Sequence, residues 1–231
     1  MNISYQNVLE RLKEERLNKH LSQLEMGQIM RISQSYYSKA ELGVRRFSYY
    51  EIQYLCESEV DSYFIFTGKR CSGRYKHVWE SCSYDELLNL FYILCLSIEY
   101  LYLNRLAYKG QAMYQEIKYI KNIISPDKKN NNIFYNLRRS LRYNQHEMSK
   151  MINVDIKKLR DLENGRVLPD SEIIWNMYCI YNIPPALLVK SKIDLASTID
   201  NLLSTVEPEL ALFLFSYLEQ LHEFWINKGN E

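Results

Sequence analysis

The chain is expected to be all-α, and three observations carry that expectation. Apolar residues recur at three- and four-residue spacing along the 231 residues, and the alternation that marks strands is hard to find. Gly and Pro are few, 7 and 5, against 20 Tyr, which suits helices joined by short turns. The third observation is an internal repeat at an offset of 122 residues. Leu21-Ser22-Gln23 aligns with Tyr143-Asn144-Gln145. Reading on without gaps, Met26 falls on Met148, Ile29 on Met151, Ile32 on Val154, Tyr37 on Leu159, Glu41 on Glu163 and Gly43 on Gly165. Reading backward, Leu12 falls on Phe134 and Arg16 on Arg138.

The shared positions predict a local structure. Ser22 with Glu25, and Asn144 with Glu147, have capping-box spacing and start a short helix. Met26, Ile29 and Ile32 give that helix an inward face, as do Met148, Met151 and Val154 in the second copy. Ser33 and Asp155 cap the next helix, which runs to Gly43 or Gly165, where a left-handed residue is wanted. Two short helices joined by a tight turn make a helix-turn-helix.

With those residues in place, 8–68 and 133–190 each resemble the Cro/C1-type (XRE) domain, a five-helix module. The resemblance rests on Arg16, Leu21-Ser22-Gln23, Ser33 and Glu41-Leu42-Gly43 in the first copy, with Val60 to Gly68 similar to the usual fifth-helix exit. In the second it rests on Asn144-Gln145, Val154-Asp155, Glu163-Asn164-Gly165 and Pro169. It implies two lambda-repressor-like DNA-binding domains joined by a helical segment, and a cytoplasmic transcriptional regulator, repressor-like, acting on double-stranded DNA. Two departures stand out. Arg31 and Asn153 hold the turn position where the family usually has Gly, so the first turn is expected to be strained by about 1 kcal/mol or altered in shape. Ala40 replaces a bulky apolar residue, which predicts weaker packing there.

In this motif the second helix enters the major groove with its N-terminal residues toward base edges. The expected readers in the first unit are Gln34, Ser35 and Tyr36, with Lys39 a turn on; Gln can pair bidentately with adenine. Gln23, Arg45 and Arg46 are assigned to the phosphate backbone. In the second unit the readers are Ile156, Lys157 and Lys158, with Arg160 beyond, and Arg138, Gln145 and Arg166 are assigned to phosphates. Because the two sets differ, one subunit is expected to read two dissimilar half-sites.

The remaining segments follow in order. Residues 84–124 read as two helices around a break near Lys109-Gly110, with Leu87, Leu88, Phe91, Leu94, Cys95 and Ile98 forming a broad apolar face. Asn89, Ser97 and Glu99 interrupt Leu87–Leu103, which is short for a bilayer span, so a buried helix and no membrane partner are expected. Ser125 to Asn132 is the clearest linker. Residues 193–228 read as two helices parted near Glu207-Pro208. Leu214, Leu218, Leu221 and Trp225 form one stripe, and Leu212, Phe213, Phe215 and Phe224 widen it. That stripe either packs on the central helices or forms a homodimer interface. The expected division is 1–68, 69–132, 133–190 and 191–231.

Net charge is +1 overall but runs −1, +3, +5 and −6 over residues 1–68, 69–125, 126–192 and 193–231, so a polyanion would meet one face of the molecule. No basic run followed by an apolar core opens the chain, and five irregularly spaced cysteines fit a reducing compartment. Cys71, His77 and Cys82 lack a fourth ligand and a recognised zinc spacing, so no metal is expected. His20, His146 and His222 have no nucleophile at catalytic spacing, and no phosphate-binding loop or dinucleotide fingerprint occurs, so neither enzyme activity nor a cofactor is expected. The tyrosine excess, Tyr36-Tyr37, Tyr49-Tyr50, Tyr100 and Tyr102 included, reads as aromatic packing with hydroxyls at the surface. Two other functional readings stay open. One is an antirepressor- or antitoxin-like protein-interaction role. The other is a ligand-responsive regulator with a pocket in its Tyr- and Leu-rich middle.

Overall fold

A computed structural model of the chain describes residues 4–104, 114, 117–124 and 132–229. Among the described residues all regular structure is helical, as the periodicity predicts. The first unit comprises α1 (Gln6–Asn18), α2 (Gln23–Ile29), α3 (Gln34–Glu41), α4 (Tyr49–Cys56) and α5 (Ser62–Thr67). A 3₁₀ turn at Lys76–Ser81 leads into α6 (Tyr84–Leu103), and α7 (Ile120–Ile124) precedes the second unit. That unit comprises α8 (Ile133–Ser140), α9 (Gln145–Met151), α10 (Ile156–Glu163), α11 (Ser171–Tyr181) and α12 (Pro185–Val189). The tail is α13 (Lys192–Ser204) and α14 (Pro208–Gly229), parted where Glu207-Pro208 predicts. The expected break at Lys109-Gly110 and all of the expected linker but Asn132 lie outside the described residues; Asn132 caps α8, its side chain accepting from Tyr135 N.

The repeat extends beyond the aligned motif into backbone conformation. Left-handed residues occur in pairs 122 apart: His20 and Arg142, Arg31 and Asn153, Gly43 and Gly165, Gly68 and Lys190. Both capping boxes form, and Ser33 and Asp155 cap α3 and α10 through Tyr36 N and Lys158 N. Arg31 and Asn153 share φ 57°, so the turn keeps one shape in both units and the altered first turn is not found. Arg31 carries the strain instead, with its guanidinium 4.0 Å from the centre of the Tyr54 ring, a cation–π contact that offsets part of it. A Cβ at Gly27 would come within 2.8 Å of the Ile32 carbonyl oxygen, whereas the second unit makes the equivalent turn with Ser149 in that place.

The inward faces lean one residue further round than expected. Met26 with Met30, and Met148 with Ile152, are fully buried. Ile29, Ile32 and Val154 pack at the edge of the core, whereas Met151 is exposed, contrary to its place in the predicted stripe. Ile152, one turn beyond Met148, takes the inward position expected of Met151. Ala40 is fully buried, closely covered despite its size.

Both units, the connector and the tail share one continuous apolar core. By length and composition alone α6 could cross a membrane, but Leu87, Leu90, Phe91, Leu94 and Cys95 are fully buried, packed with α7, α13 and α14 around them. Leu214 and Leu218 of α14 face inward, and His222 lies against Cys82, Nε2 to Sγ 3.1 Å. Leu212, Phe213 and Phe224 stay exposed, so the tail packs on the central helices and still presents an apolar strip. All five cysteines are free thiols, and Tyr5, Tyr37 and Tyr75 place their rings in the core.

Loop 71–75 is fastened to α13 by one buried carboxylate. Asp200 accepts from Cys71 Sγ, Ser72 Oγ and the backbone N–H groups of Gly73 and Tyr75, at 2.7–3.1 Å. Burial alone would raise its pKa, but these donors outweigh it and hold the carboxyl below the usual aspartate value. The stability this supplies is complete above the unfolded-state pKa of about 3.9 and is lost as pH falls through the lower folded value. Denaturant titrations from pH 7 to pH 3 are expected to show Asp200→Asn destabilised at pH 7, with a shallower acid dependence than the parent. A parallel dependence for both would exclude Asp200 as a source of acid sensitivity.

Candidate nucleic-acid interface

Each of the two units is held by the same buried ion pair. In the first unit Arg16 Nε and Nη2 donate to the two oxygens of Glu41 at 2.8 and 3.3 Å, and Nη1 donates to Leu21 O at 3.0 Å. Gln23 Nε2 and the Tyr37 hydroxyl donate to the same carboxylate, at 2.7 and 3.1 Å. In the second unit Arg138 grips Glu163 at 2.5 and 3.2 Å and Tyr143 O at 3.1 Å, while Gln145 Nε2 donates to Glu163 at 2.9 Å. The pair joins the first helix of each unit to the end of its third, α3 or α10, and the Gln fastens the helix between them. Burial would raise the Glu41 pKa, but the hydrogen bonds from Arg16 and Gln23 outweigh it and lower it, so the carboxylate stays charged.

This arrangement corrects the assignment of Arg138 to phosphate. It is buried and its guanidinium is spent on Glu163 and a carbonyl, so it braces the fold from inside. Gln23 and Gln145 are half-buried and use an amide hydrogen on the same carboxylates. A signal for this exists in the sequence: Arg16 and Glu41 recur together as Arg138 and Glu163, opposite charges at equal separation, which marks a pair.

Around these struts the expected base readers separate cleanly. Gln34, Ser35, Tyr36 and Lys39 are exposed on α3, while Tyr37, Ala40 and Glu41 of the same helix are buried. Ile156, Lys157 and Arg160 are exposed on α10, while Leu159, Leu162 and Glu163 are buried. Lys158 is half-buried and its Nζ pairs with Asp170 at 2.8 Å, which ties it to the start of α11. Arg45, assigned to phosphate, is instead half-buried: its guanidinium lies 5.1 Å from the Tyr36 ring centre and donates to Glu51 at 2.9 Å and to the carbonyls of Tyr36 and Arg46. Arg166 is largely exposed, 3.7 Å from Asp161.

Arg46 departs from its expected backbone-facing position. It donates to both oxygens of Glu172 in the second unit, at 2.7 and 3.2 Å. Beside it Phe47 N donates to Ser171 Oγ at 3.1 Å and Ser171 N donates to Phe47 O at 3.0 Å. Tyr5 reaches the same serine across 2.5 Å, and burial pushes its phenol up to about 12. The loop leaving α3 is thus fastened to the first turn of α11. Sequence reading misses this junction, because a contact over 124 residues leaves no local pattern.

In comparison with known proteins, residues 12–56 match the family model of the helix-turn-helix. The match runs from α1 through α4 and takes in Arg16, α2, α3 and Glu41. This N-terminal segment is therefore similar to the Cro/C1-type helix-turn-helix, a module of DNA-binding regulators. No curated protein and no solved structure is significantly similar to the chain.

A buried charge left without its partner is strongly destabilising. Glu41→Gln and Glu163→Gln are each expected to cost about 3–5 kcal/mol, read as a lower urea midpoint with an unchanged slope. Arg166→Ala, at an exposed position, is expected to shift stability by less than about 0.5 kcal/mol. If either Glu variant were as stable as the parent, the strut would not be what holds its unit.

Proposed function

We propose that the protein is a cytoplasmic, sequence-specific DNA-binding regulator in which both helix-turn-helix units, 1–68 and 133–190, dock on one duplex. Residues 69–132 act as connector and 191–231 as a packing tail. The observation that carries the reading is the matched exposure of α3 and α10. On two copies of one scaffold, each held by a buried Arg–Glu strut, the outward residues are those suited to bases and phosphates. Gln34 suits adenine, Tyr36 is steadied by Arg45, Lys157 suits guanine, and Ile156 suits a thymine methyl. Arg160 and Arg166 suit phosphates.

The junction sets an upper bound on the separation of the two reading helices. Phe47 lies four residues beyond Gly43, Ser171 lies six beyond Gly165, and the two are hydrogen-bonded. At about 3.6 Å per residue at most, the exits of α3 and α10 lie within about 40 Å of each other. Half-sites one helical turn apart are separated by about 34 Å, which falls inside that limit. The two half-sites would differ in sequence, since α3 and α10 present different side chains. Exposed Leu212, Phe213 and Phe224 on α14 suit a second copy of the chain, giving a homodimer with four reading helices.

The test is random-sequence selection followed by mobility shift at several salt concentrations. Gln34→Ala with Tyr36→Ala is expected to relax preference in one half-site. Lys157→Ala with Arg160→Ala is expected to relax the other and to reduce the salt slope by about 1 for each phosphate-binding cation removed. Absence of binding at low salt would refute the proposal, and an effect confined to one pair of substitutions would restrict it to that unit.

A further inference from the structure

The two units differ at one place, and the difference opens a groove. α1 starts at Gln6, whereas α8 starts at Ile133, which matches Arg11 at the offset of 122. The first unit uses its extra residues to cover the loop that leaves α3. Leu9 Cδ1 lies 3.2 Å from where a Cβ on Gly43 would be, and the Arg46 guanidinium lies 4.7 Å from the centre of the Tyr5 ring. Tyr5, Val8 and Leu9 are buried there. At the matching positions the sequence has Asp127, Asn130 and Asn131, which carry no apolar side chain to lay on the second loop. Among the described residues nothing lies within 4 Å of the corresponding point on Gly165. A groove of about 390 Å³ results, between the start of α8, the loop leaving α10, and α12. Phe134, Leu162, Leu187 and Leu188 line it, and Val167 and Leu168 stand exposed in it, where the first unit has Arg45 and Arg46.

The chain also carries a surface of matching chemistry. Leu212, Phe213 and Tyr217 are exposed within two turns of α14, Phe213 to 67 %. Glu209, one turn before Phe213, is exposed on the same side of the helix. Lys190, exposed on the rim of the groove, is in no ion pair among the described residues. The sequence is basic by 5 over residues 126–192 and acidic by 6 over 193–231, so the tail is attracted to the second unit, whereas two tails set against each other repel. The opposite face of α14 is committed to the core through Leu214 and Leu218, so the exposed strip must be met by another molecule.

We propose that the groove receives α14 of a second copy of the chain. Phe213 and Tyr217 seat on Val167 and Leu168, as Tyr5 and Leu9 seat on the first unit's own loop, and Glu209 meets Lys190 at the rim. Two such contacts related by a two-fold axis close a dimer. The contact rests on the homodimer reading given above and gives the exposed strip a defined acceptor, which is the second unit and not a second tail.

The test is sedimentation equilibrium of the full chain over a wide range of concentration. The parent is expected to form a closed dimer. Leu168→Asp and Phe213→Ser, both at exposed positions that leave the core untouched, are each expected to weaken it by about tenfold or more. Lys190→Glu and Glu209→Lys are each expected to weaken the dimer, and the two together to restore it. A monomeric parent overturns this contact and the homodimer reading together. A dimer weakened by Phe213→Ser but indifferent to Leu168→Asp overturns the groove alone and leaves the homodimer reading standing. A charge exchange that restores nothing overturns the meeting of Glu209 with Lys190. DNA binding is read separately, by mobility shift of the same variants.

Discussion

Everything outward-facing on α3 and α10 depends on an interaction that faces inward. The Arg16–Glu41 pair lies almost wholly out of solvent, with side chains 9 and 5 % exposed, and Arg138–Glu163 is its counterpart at 11 and 4 %. Ions so placed must find partners for their hydrogen-bonding capacity. Here a backbone carbonyl, a glutamine amide and, in the first unit, a tyrosine hydroxyl supply them. The pair therefore has few tolerable geometries. It fixes the angle between the first helix and α3 or α10 more narrowly than apolar packing would, since an apolar contact can slide. Fixed angles are what a reading surface needs, because base-edge contacts tolerate little displacement.

The second constraint is the junction at Phe47, Arg46, Ser171 and Glu172. A reciprocal pair of hydrogen bonds and a bidentate arginine leave little freedom between the units. Two modules on a flexible tether would each search for a groove independently. Modules docked in this way carry their spacing with them, and the ordering entropy is met on folding and not on binding. The near-neutral net charge of the whole chain divides along the sequence, with a basic surplus over residues 126–192 and an acidic one over 193–231.

Much of the fold is legible because it is local. Capping boxes at Ser22 and Asn144, the helix starts at Ser33 and Asp155, and the left-handed glycines Gly43 and Gly165 are all short-range chemistry. The repeat then shows each feature twice, which separates pattern from coincidence. Three things are read less well, each for a physical reason. Met151 reads as inward because a seven-residue helix admits two neighbouring stripes, and only the covering helices choose between them. Arg138 reads as a phosphate contact because an arginine on a helix is usually solvated, whereas its partner lies 25 residues away. Arg46 is misplaced because its partner, Glu172, lies in the other unit. For both arginines the missing information is distant pairing, and for Met151 it is distant packing.

The central claim is that two copies of one scaffold read one duplex together. Hydroxyl-radical and methylation footprinting on a selected binding fragment tests it most directly. Two protected major-groove segments on the same face of the duplex, about one helical turn apart and unlike in sequence, are the predicted result. A single protected segment that is unchanged by Lys157→Ala would contradict the account, and would leave the second unit as a structural partner of the first.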